Sequence, residues 1–274
     1  MGLGMIAFKI GSVPVYTYGL LVSLTIIISY GLAWLNFRIH GEGTGHVTDL
    51  LLLGLPFAVI GARAGYVLHY PEQFASWQEA LAFWQGGLSP YGGVTGFLLA
   101  VIILAAWRRH NIWRVLDLLA PALVFALVLT SLGSFALQLT LGTPFVSDLP
   151  NDHMLAEYVE FSYRPAGWEN SQYFHPVALY QAVLQFIVFL VLAWKSLRLW
   201  RCGGRYRAGC TFFGAVAAIA LIRLVCGFFY LTTEPGNLLL PGRIMAVGTF
   251  LVAMLFYLWR AFGSRFTYDG GHFR

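Results

Sequence analysis

Charged residues are scarce in this chain of 274 residues, since Lys, Arg, Asp and Glu together make up 11% of it. Hydrophobic residues account for 58%, and the mean hydropathy is +0.70. Soluble domains carry about 25% charged residues, so this composition excludes an ordinary soluble fold. It predicts an all-α integral membrane protein that crosses the bilayer several times.

Cysteine is also rare, with three residues in the whole chain: Cys202, Cys210 and Cys226. The predicted topology puts them on the cytoplasmic side or inside a helix, which argues against a disulfide framework. The sequence has no metal-ligand spacing, no phosphate-binding loop and no sustained repeat. The sequence therefore predicts no bound metal.

Seven apolar stretches are long enough to cross a hydrocarbon core about 30 Å thick. They lie at about residues 17–37, 50–70, 89–107, 115–139, 175–194, 208–231 and 243–261. We call them the first to seventh predicted spans and expect them to form a single membrane domain over residues 1–274. The long connection at 143–174, called the head segment below, is rich in aromatic and acidic residues and predicts an ordered cover.

Basic residues collect in every second connection, near residue 38, at 108–114, at 195–207 and after residue 259. The positive-inside rule makes these connections cytoplasmic, which puts the amino terminus outside and the carboxyl terminus inside. The head segment then lies on the outer face. The excess of basic residues therefore follows from topology and does not predict a nucleic-acid partner.

Two arginines lie inside apolar runs, Arg63 in the second predicted span and Arg223 in the sixth. An intramembrane charge is costly, so it normally faces a protein interior or a polar cavity. Both positions fall roughly 10 to 12 Å below the outer surface at the helical rise per residue. We expect an anionic or polar partner at that depth, with Arg243 at the outer end of the seventh span beside it.

Other polar residues cluster at the same predicted level. They come from the first, third, fourth and fifth spans: Tyr18, Ser89, Tyr91, Ser131, Ser134 and His175. Each also has a structural interpretation, such as an interfacial tyrosine, a helix start or a hydroxyl bonded to its own helix. For Arg63 the structural interpretation is a set of bonds to loop carbonyls.

Four short patterns occur in order: YGL at 18–20, GARAGYV at 61–67, GGLSPYGG at 86–93, and His175-Pro176 followed by Leu179-Tyr180. With the predicted topology, they resemble the prolipoprotein diacylglyceryl transferase family over nearly the whole chain. The resemblance implies a bacterial plasma membrane enzyme that moves a diacylglyceryl group from phosphatidylglycerol to a lipobox cysteine thiol and releases glycerol phosphate. It implies no metal or organic cofactor.

The resemblance also implies roles for the polar residues. The expected catalytic residues are Arg223, Tyr91, Tyr18 and His175. The expected substrate-binding residues are Arg63, Arg243, Ser89, Ser131 and Ser134. Guanidinium groups suit a phosphodiester, and a tyrosine or histidine suits deprotonation of the thiol.

The chain departs from the family's motifs at several ionisable positions. The family's fourth-span signature, Gly-Arg-x-Gly-Asn-Phe-x-Asn-x-Glu-x-x-Gly, corresponds here to residues 130–142 and has Ser131 in place of the arginine. The family's sixth-span run, Tyr-Gly-x-x-Arg-x-x-x-Glu-x-x-Arg, corresponds to residues 219–230 and keeps only Arg223. Gln181 replaces a glutamate in the fifth span, and Tyr91 replaces a histidine found in many members.

These departures leave two hypotheses open. The chain is either a lipid transferase, or a catalytically inactive relative that binds lipid or serves as a subunit of a membrane complex. A phospholipid is the expected partner in both cases, with a prolipoprotein signal peptide in the first and a membrane protein in the second. A transporter has less support, because neither a charge relay nor matched broken helices occur.

Overall fold

The computed structural model describes residues 6–10, 13–74, 76–83, 86–145, 156–161, 164–165, 167–202, 205–231, 241–263 and 267–269. Within these residues the fold consists of eight helices and three short antiparallel strand pairs. The helices are α1 (Thr17–Ile39), α2 (Gly45–His69), α3 (Trp77–Leu81), α4 (Pro90–Trp107), α5 (Ile112–Ala136), α6 (Val177–Cys202), α7 (Cys210–Cys226) and α8 (Pro241–Leu258). A π-helical turn, Trp259–Gly263, extends α8.

The strands are β1 (Ile6–Ile10), β2 (Val13–Tyr16), β3 (Glu157–Tyr158), β4 (Tyr173–Phe174), β5 (Arg205–Arg207) and β6 (Thr267–Asp269). They pair as β1 with β2, β3 with β4, and β5 with β6. None was predicted, because two- to five-residue strands carry too little alternation to be recognised in so apolar a sequence.

Each of the seven predicted spans contains one helix. Among the described residues, five helices are long and apolar enough to cross a membrane, and the apolar parts of α4 and α7 are shorter, Tyr91–Trp107 and Cys210–Cys226. The prediction of an all-α integral membrane protein is confirmed. Its orientation in the bilayer stays a prediction.

Several helix boundaries differ from the predicted ones, and two of these differences have clear local causes. The fourth span ends at Ala136 because Gln138 has a left-handed backbone, φ 50, and the Leu139 N–H donates to the Ser134 carbonyl. The fifth span begins at Val177, two residues later than predicted. His175 precedes the helix because its N–H donates to the Thr143 carbonyl.

The chain divides into two compact units, and the division falls inside α1 and α5. The first unit contains Met1–Leu32 and Ala120–Gly270; the second contains Ala33–Leu119 and Gly271–Arg274. In the first unit α7 packs against both α6 and α8. Its core includes Ala120 and Val124 of α5, Leu192 of α6 and Ala215 of α7. The expected single membrane domain stays a prediction.

In the second unit, glycines bring α2 and α4 into backbone contact. A Cβ added at Gly61 would lie 2.5 Å from the Gly92 carbonyl oxygen, and one added at Gly96 would lie 2.1 Å from that of Phe57. No side chain fits at such distances. The two helices therefore pack through small residues, as membrane helices commonly do.

Candidate functional site

We define the exit of α7 as residues 223–231. Backbone hydrogen bonds join this exit to the segment that follows α5, and join that segment to the start of α6. The Thr143 N–H donates to the Phe229 carbonyl over 2.8 Å, and the Leu231 N–H donates to the Leu141 carbonyl over 3.3 Å. The Gly142 N–H donates to the His175 carbonyl over 3.1 Å. One short segment after α5 thus lies between the start of α6 and the exit of α7.

His175 lies in an aromatic cluster beside this exit. Its ring centroid is 5.0 Å from that of Phe145 and 5.5 Å from that of Phe229. Its Nδ1 atom and the Tyr180 hydroxyl are hydrogen bonded over 3.3 Å. Burial lowers the pKa of His175, so the neutral imidazole, which can accept a proton, predominates at neutral pH.

Two arginines lie at the exit of α7, Arg223 as its first residue and Arg243 beside it in the first turn of α8. Arg223 is the only charged residue of α7 and its side chain is exposed in the last turn of the helix. Arg243, in the first turn of α8, donates from Nε and Nη2 to the Gly227 carbonyl, over 3.1 and 2.9 Å. Its guanidinium also lies over the Phe228 ring, 4.6 Å from the centroid. Arg243 therefore caps the carboxyl end of α7 with positive charge, where the helix dipole favours it.

Two glutamines one turn apart form a polar face on α6. The Gln181 Nε2 donates to the Tyr230 hydroxyl over 2.9 Å. The Ser131 hydroxyl donates to the Gln185 Oε1, also over 2.9 Å. Gln181, Gln185 and Ser131 are all buried, so these neutral bonds join α6 to the α7 exit and to α5 inside the protein.

Ser134 and Tyr18 complete the predicted residues of the first unit. Ser134 is half-buried next to Gly133, where an added Cβ would meet the Leu21 side chain of α1 at 3.3 Å. Tyr18 is half-buried in the first turn of α1, three residues before Leu21. The start of α1 therefore packs near the end of α5.

The head segment contains a buried carboxyl group. Glu157 of β3 is 6% exposed, and its strand partner Phe174 is fully buried. Neither carboxyl oxygen of Glu157 has a hydrogen-bond partner among the residues that the structure describes. Burial raises the pKa of Glu157 to about 7.

In the second unit, the buried side chain of Arg63 is bonded to backbone carbonyls. Nε donates to Ala80 over 2.7 Å, Nη2 to Glu79 over 2.6 Å, and Nη1 to both Gly86 and Gly87. The polar partners expected for this arginine are thus backbone carbonyls, two in α3 and two just before α4. Its substrate-binding role stays a prediction.

Ser89 and Tyr91 lie at the start of α4. The Ser89 hydroxyl accepts a hydrogen bond from the Gly92 N–H over 3.4 Å, and the Ser89 N–H donates to the Ala62 carbonyl over 2.9 Å. The Tyr91 ring is 45% exposed. Ser89 therefore caps the helix and fixes its start against α2, which leaves Tyr91 accessible.

The predicted site residues thus fall into two groups. The first unit brings Arg243 and His175 to the helix ends around the α7 exit, which also carries Arg223, and it joins Ser131 to Gln185 of α6. The second unit brings Arg63 to the loop that leads into Ser89 and Tyr91. Gln185 was missed by the sequence prediction, although its spacing of four residues from Gln181 in an apolar helix was a usable signal.

Comparisons with known proteins decide the family. A model of the prolipoprotein diacylglyceryl transferase family matches residues 5–259. The chain is 32% identical over 187 residues to phosphatidylglycerol--prolipoprotein diacylglyceryl transferase 1 of Clostridium perfringens, covering 68% of this chain and 69% of that protein. The chain belongs to the prolipoprotein diacylglyceryl transferase family.

Two further family members show the same degree of similarity. The chain is 29% identical over 200 residues to the phosphatidylglycerol--prolipoprotein diacylglyceryl transferase of Prochlorococcus marinus, covering 68% of this chain and 64% of the relative. It is 28% identical over 222 residues to that of Trichormus variabilis, covering 81% and 77%. The fold and the family make the chain a multi-pass protein of the bacterial plasma membrane.

The structure explains how a member of this family accommodates its departures from the motifs. Gln181 and Tyr230 occupy positions where the motifs have a glutamate and an arginine, and here they hydrogen bond to each other. Gly227 occupies a motif glutamate position, and its carbonyl accepts from Arg243. Neutral or backbone partners thus satisfy these positions, which avoids leaving one member of an ion pair buried alone.

Proposed function

We propose that this protein transfers a diacylglyceryl group from phosphatidylglycerol to the thiol of a lipobox cysteine in a prolipoprotein. The relatives' names state this activity for them, and the family match extends over residues 5–259. Arg223 is the observation that carries the proposal. It is an exposed guanidinium in an otherwise uncharged helix, at the motif position that the chain retains.

The reaction needs a cation at the phosphate and a base at the thiol. The thiol loses its proton, the thiolate sulfur bonds to the glyceryl carbon, and the bond from that carbon to the phosphate oxygen breaks. Glycerol phosphate leaves with the electron pair. A guanidinium stabilises the charge that develops on this leaving group, and Arg223 is the residue that we propose for this role.

His175 is the proposed base, because its imidazole is predominantly neutral and lies beside the α7 exit. Tyr18 and Tyr91 are further candidates for proton transfer, with Tyr91 exposed at the start of α4. Arg243 supports Arg223 indirectly, since it holds the Gly227 carbonyl one turn beyond it. Ser131 and Ser134 of α5 are the proposed substrate-binding hydroxyls.

The proposed partners are phosphatidylglycerol and the signal peptide of a prolipoprotein. The alternative is an inactive relative that binds lipid or joins a membrane complex. The neutral Gln181–Tyr230 and Ser131–Gln185 bonds are the observation that favours it, since they lack the charges of the family's motifs. The two functions differ in whether lipoprotein modification occurs.

A complementation experiment distinguishes the transferase from the inactive relative. In a bacterial strain depleted of its own transferase, we expect the wild-type chain to restore lipoprotein modification. Arg223→Ala should lower it by about a hundredfold, the usual effect of removing one charge-stabilising donor. Arg198→Ala is the matched control, because Arg198 is an exposed arginine stacked on Trp194 of α6. Failure of a membrane-inserted wild-type chain to restore modification would favour the inactive alternative.

A further inference from the structure

The connection between α2 and α4, residues 70–88, is held by one buried side chain. Arg63 contacts this connection at three separate places in its described part. Its guanidinium bonds the carbonyls of Glu79 and Ala80 in α3 and those of Gly86 and Gly87 just before α4. It also lies over the Phe74 ring, 4.9 Å from the centroid.

These acceptors use four of the five N–H donors of the guanidinium. Carbonyls in the last turn of a helix lack partners within the helix. In α3 the Ala80 carbonyl accepts from this cation, and the Glu79 carbonyl accepts both from the cation and from the Ala82 N–H that follows the helix. The planar fork of arginine matches several fixed oxygens at once, which the point charge of lysine cannot do. Arg63 is 7% exposed, so the arrangement is shielded from water.

Neighbouring residues of α2 reinforce the same connection. The Tyr66 hydroxyl donates to Gln73 Oε1 over 2.9 Å, and its ring packs against those of Tyr70 and Phe74. The Ala62 carbonyl accepts from the Ser89 N–H at the start of α4. One face of α2 therefore sets the path of the connection and the position at which α4 begins.

We propose that Arg63 is a positioning residue, which holds the connection by its carbonyls and thereby places Ser89 and Tyr91 at the start of α4. This role in the reaction rests on the proposed function, whereas the structural restraint does not. It differs from the substrate-binding role expected from the sequence, because backbone oxygens take the place of a lipid phosphate. Tyr91 is the accessible group whose position depends on the restraint.

Hydrogen exchange of the full chain in phospholipid nanodiscs tests the restraint. Loss of a charged hydrogen bond should raise exchange of residues 70–88 by about tenfold or more, in both Arg63→Ala and Arg63→Lys. If Arg63 instead serves as a phosphate cation, Arg63→Lys keeps the wild-type exchange pattern. Unchanged exchange in Arg63→Ala would overturn the proposal.

A pair of glycines supplies a test that leaves Arg63 in the sequence. Gly86 and Gly87 both have positive φ, +92 and +71. A Cβ at Gly87 would lie 2.9 Å from the Arg63 Nη1 and 2.7 Å from the Tyr66 ring, whereas a Cβ at Gly86 meets no atom of the described residues within 4 Å. Gly87→Ala should therefore increase exchange of the connection well beyond the matched control Gly86→Ala. Equal exchange in the two would overturn the proposal, even if the Arg63 variants do not fold.

Kinetics then test the positioning role. Per folded molecule, Arg63→Lys should lower kcat about tenfold while KM for phosphatidylglycerol stays within about twofold. A rise in KM with unchanged kcat would assign Arg63 to lipid binding and overturn the positioning role. Absence of transfer by the wild-type chain would reject the proposed function, and the exchange results would still decide the restraint.

Discussion

At the residue scale, several polar side chains inside the apolar helices are bonded to neutral groups. Gln181 bonds Tyr230, Ser131 bonds Gln185, and Arg63 bonds backbone carbonyls. The sequence predicted that Arg63 needs a polar partner, because a buried charge is costly. It could not identify the carbonyls, since these depend on the path of a connection that has no regular pattern.

Tyr230→Phe tests one of these bonds. The change leaves the buried Gln181 amide without the hydroxyl that accepts its hydrogen bond. We expect a loss of about 0.5–2 kcal/mol in the free energy of unfolding, the range for polar bonds in protein and membrane interiors. Tyr158→Phe is the control, because that ring is 54% exposed. Equal thermal stability of the two variants would contradict the importance of the bond.

At the element scale, apolar length predicted the helices, and local contacts set their ends. The fourth span stops at Ala136 because of the left-handed Gln138, and the sixth stops at Cys226 near the Arg243 cap. The sequence also predicted an ordered head segment. It could not predict the pairing of β3 with β4, because two-residue strands form only where tertiary contacts support them.

The head segment should lose stability as the pH rises, because of Glu157. Its pKa is raised from 4.5 to about 7 by burial, so the folded head holds a proton that the unfolded chain releases. The free energy of unfolding of the head falls by about 3 kcal/mol in total between about pH 4.5 and pH 7. It stays at this lower value above pH 7.

Glu157→Gln should remove this pH dependence, whereas Glu160→Gln, at an exposed neighbouring position, should leave it unchanged. Proteolysis of the head segment between pH 5 and pH 8 measures the effect. The same pH profile in wild type and Glu157→Gln would show that the carboxyl group does not ionise in the folded head.

At the scale of the whole molecule, the chain combines the helices of its family with a less charged set of polar contacts. The motifs around Arg63, Tyr91 and His175 were enough to predict the family, which the comparisons confirm. The motifs were not enough to assign the roles of the individual residues in them. The structure shows Arg63 and Arg243 bonded to carbonyls, while Arg223 is exposed on α7. We therefore propose that Arg223 supports lipid transfer despite the missing motif charges.

The most direct test is transfer by the purified full-length chain. The protein is placed in phosphatidylglycerol nanodiscs with a synthetic lipobox peptide, and the peptide mass and the released glycerol phosphate are measured. We expect one diacylglyceryl group on the cysteine for each glycerol phosphate released, with no reaction when serine replaces that cysteine and a large loss in Arg223→Ala. A folded wild-type chain that binds the lipid but leaves the peptide unmodified would contradict the proposal.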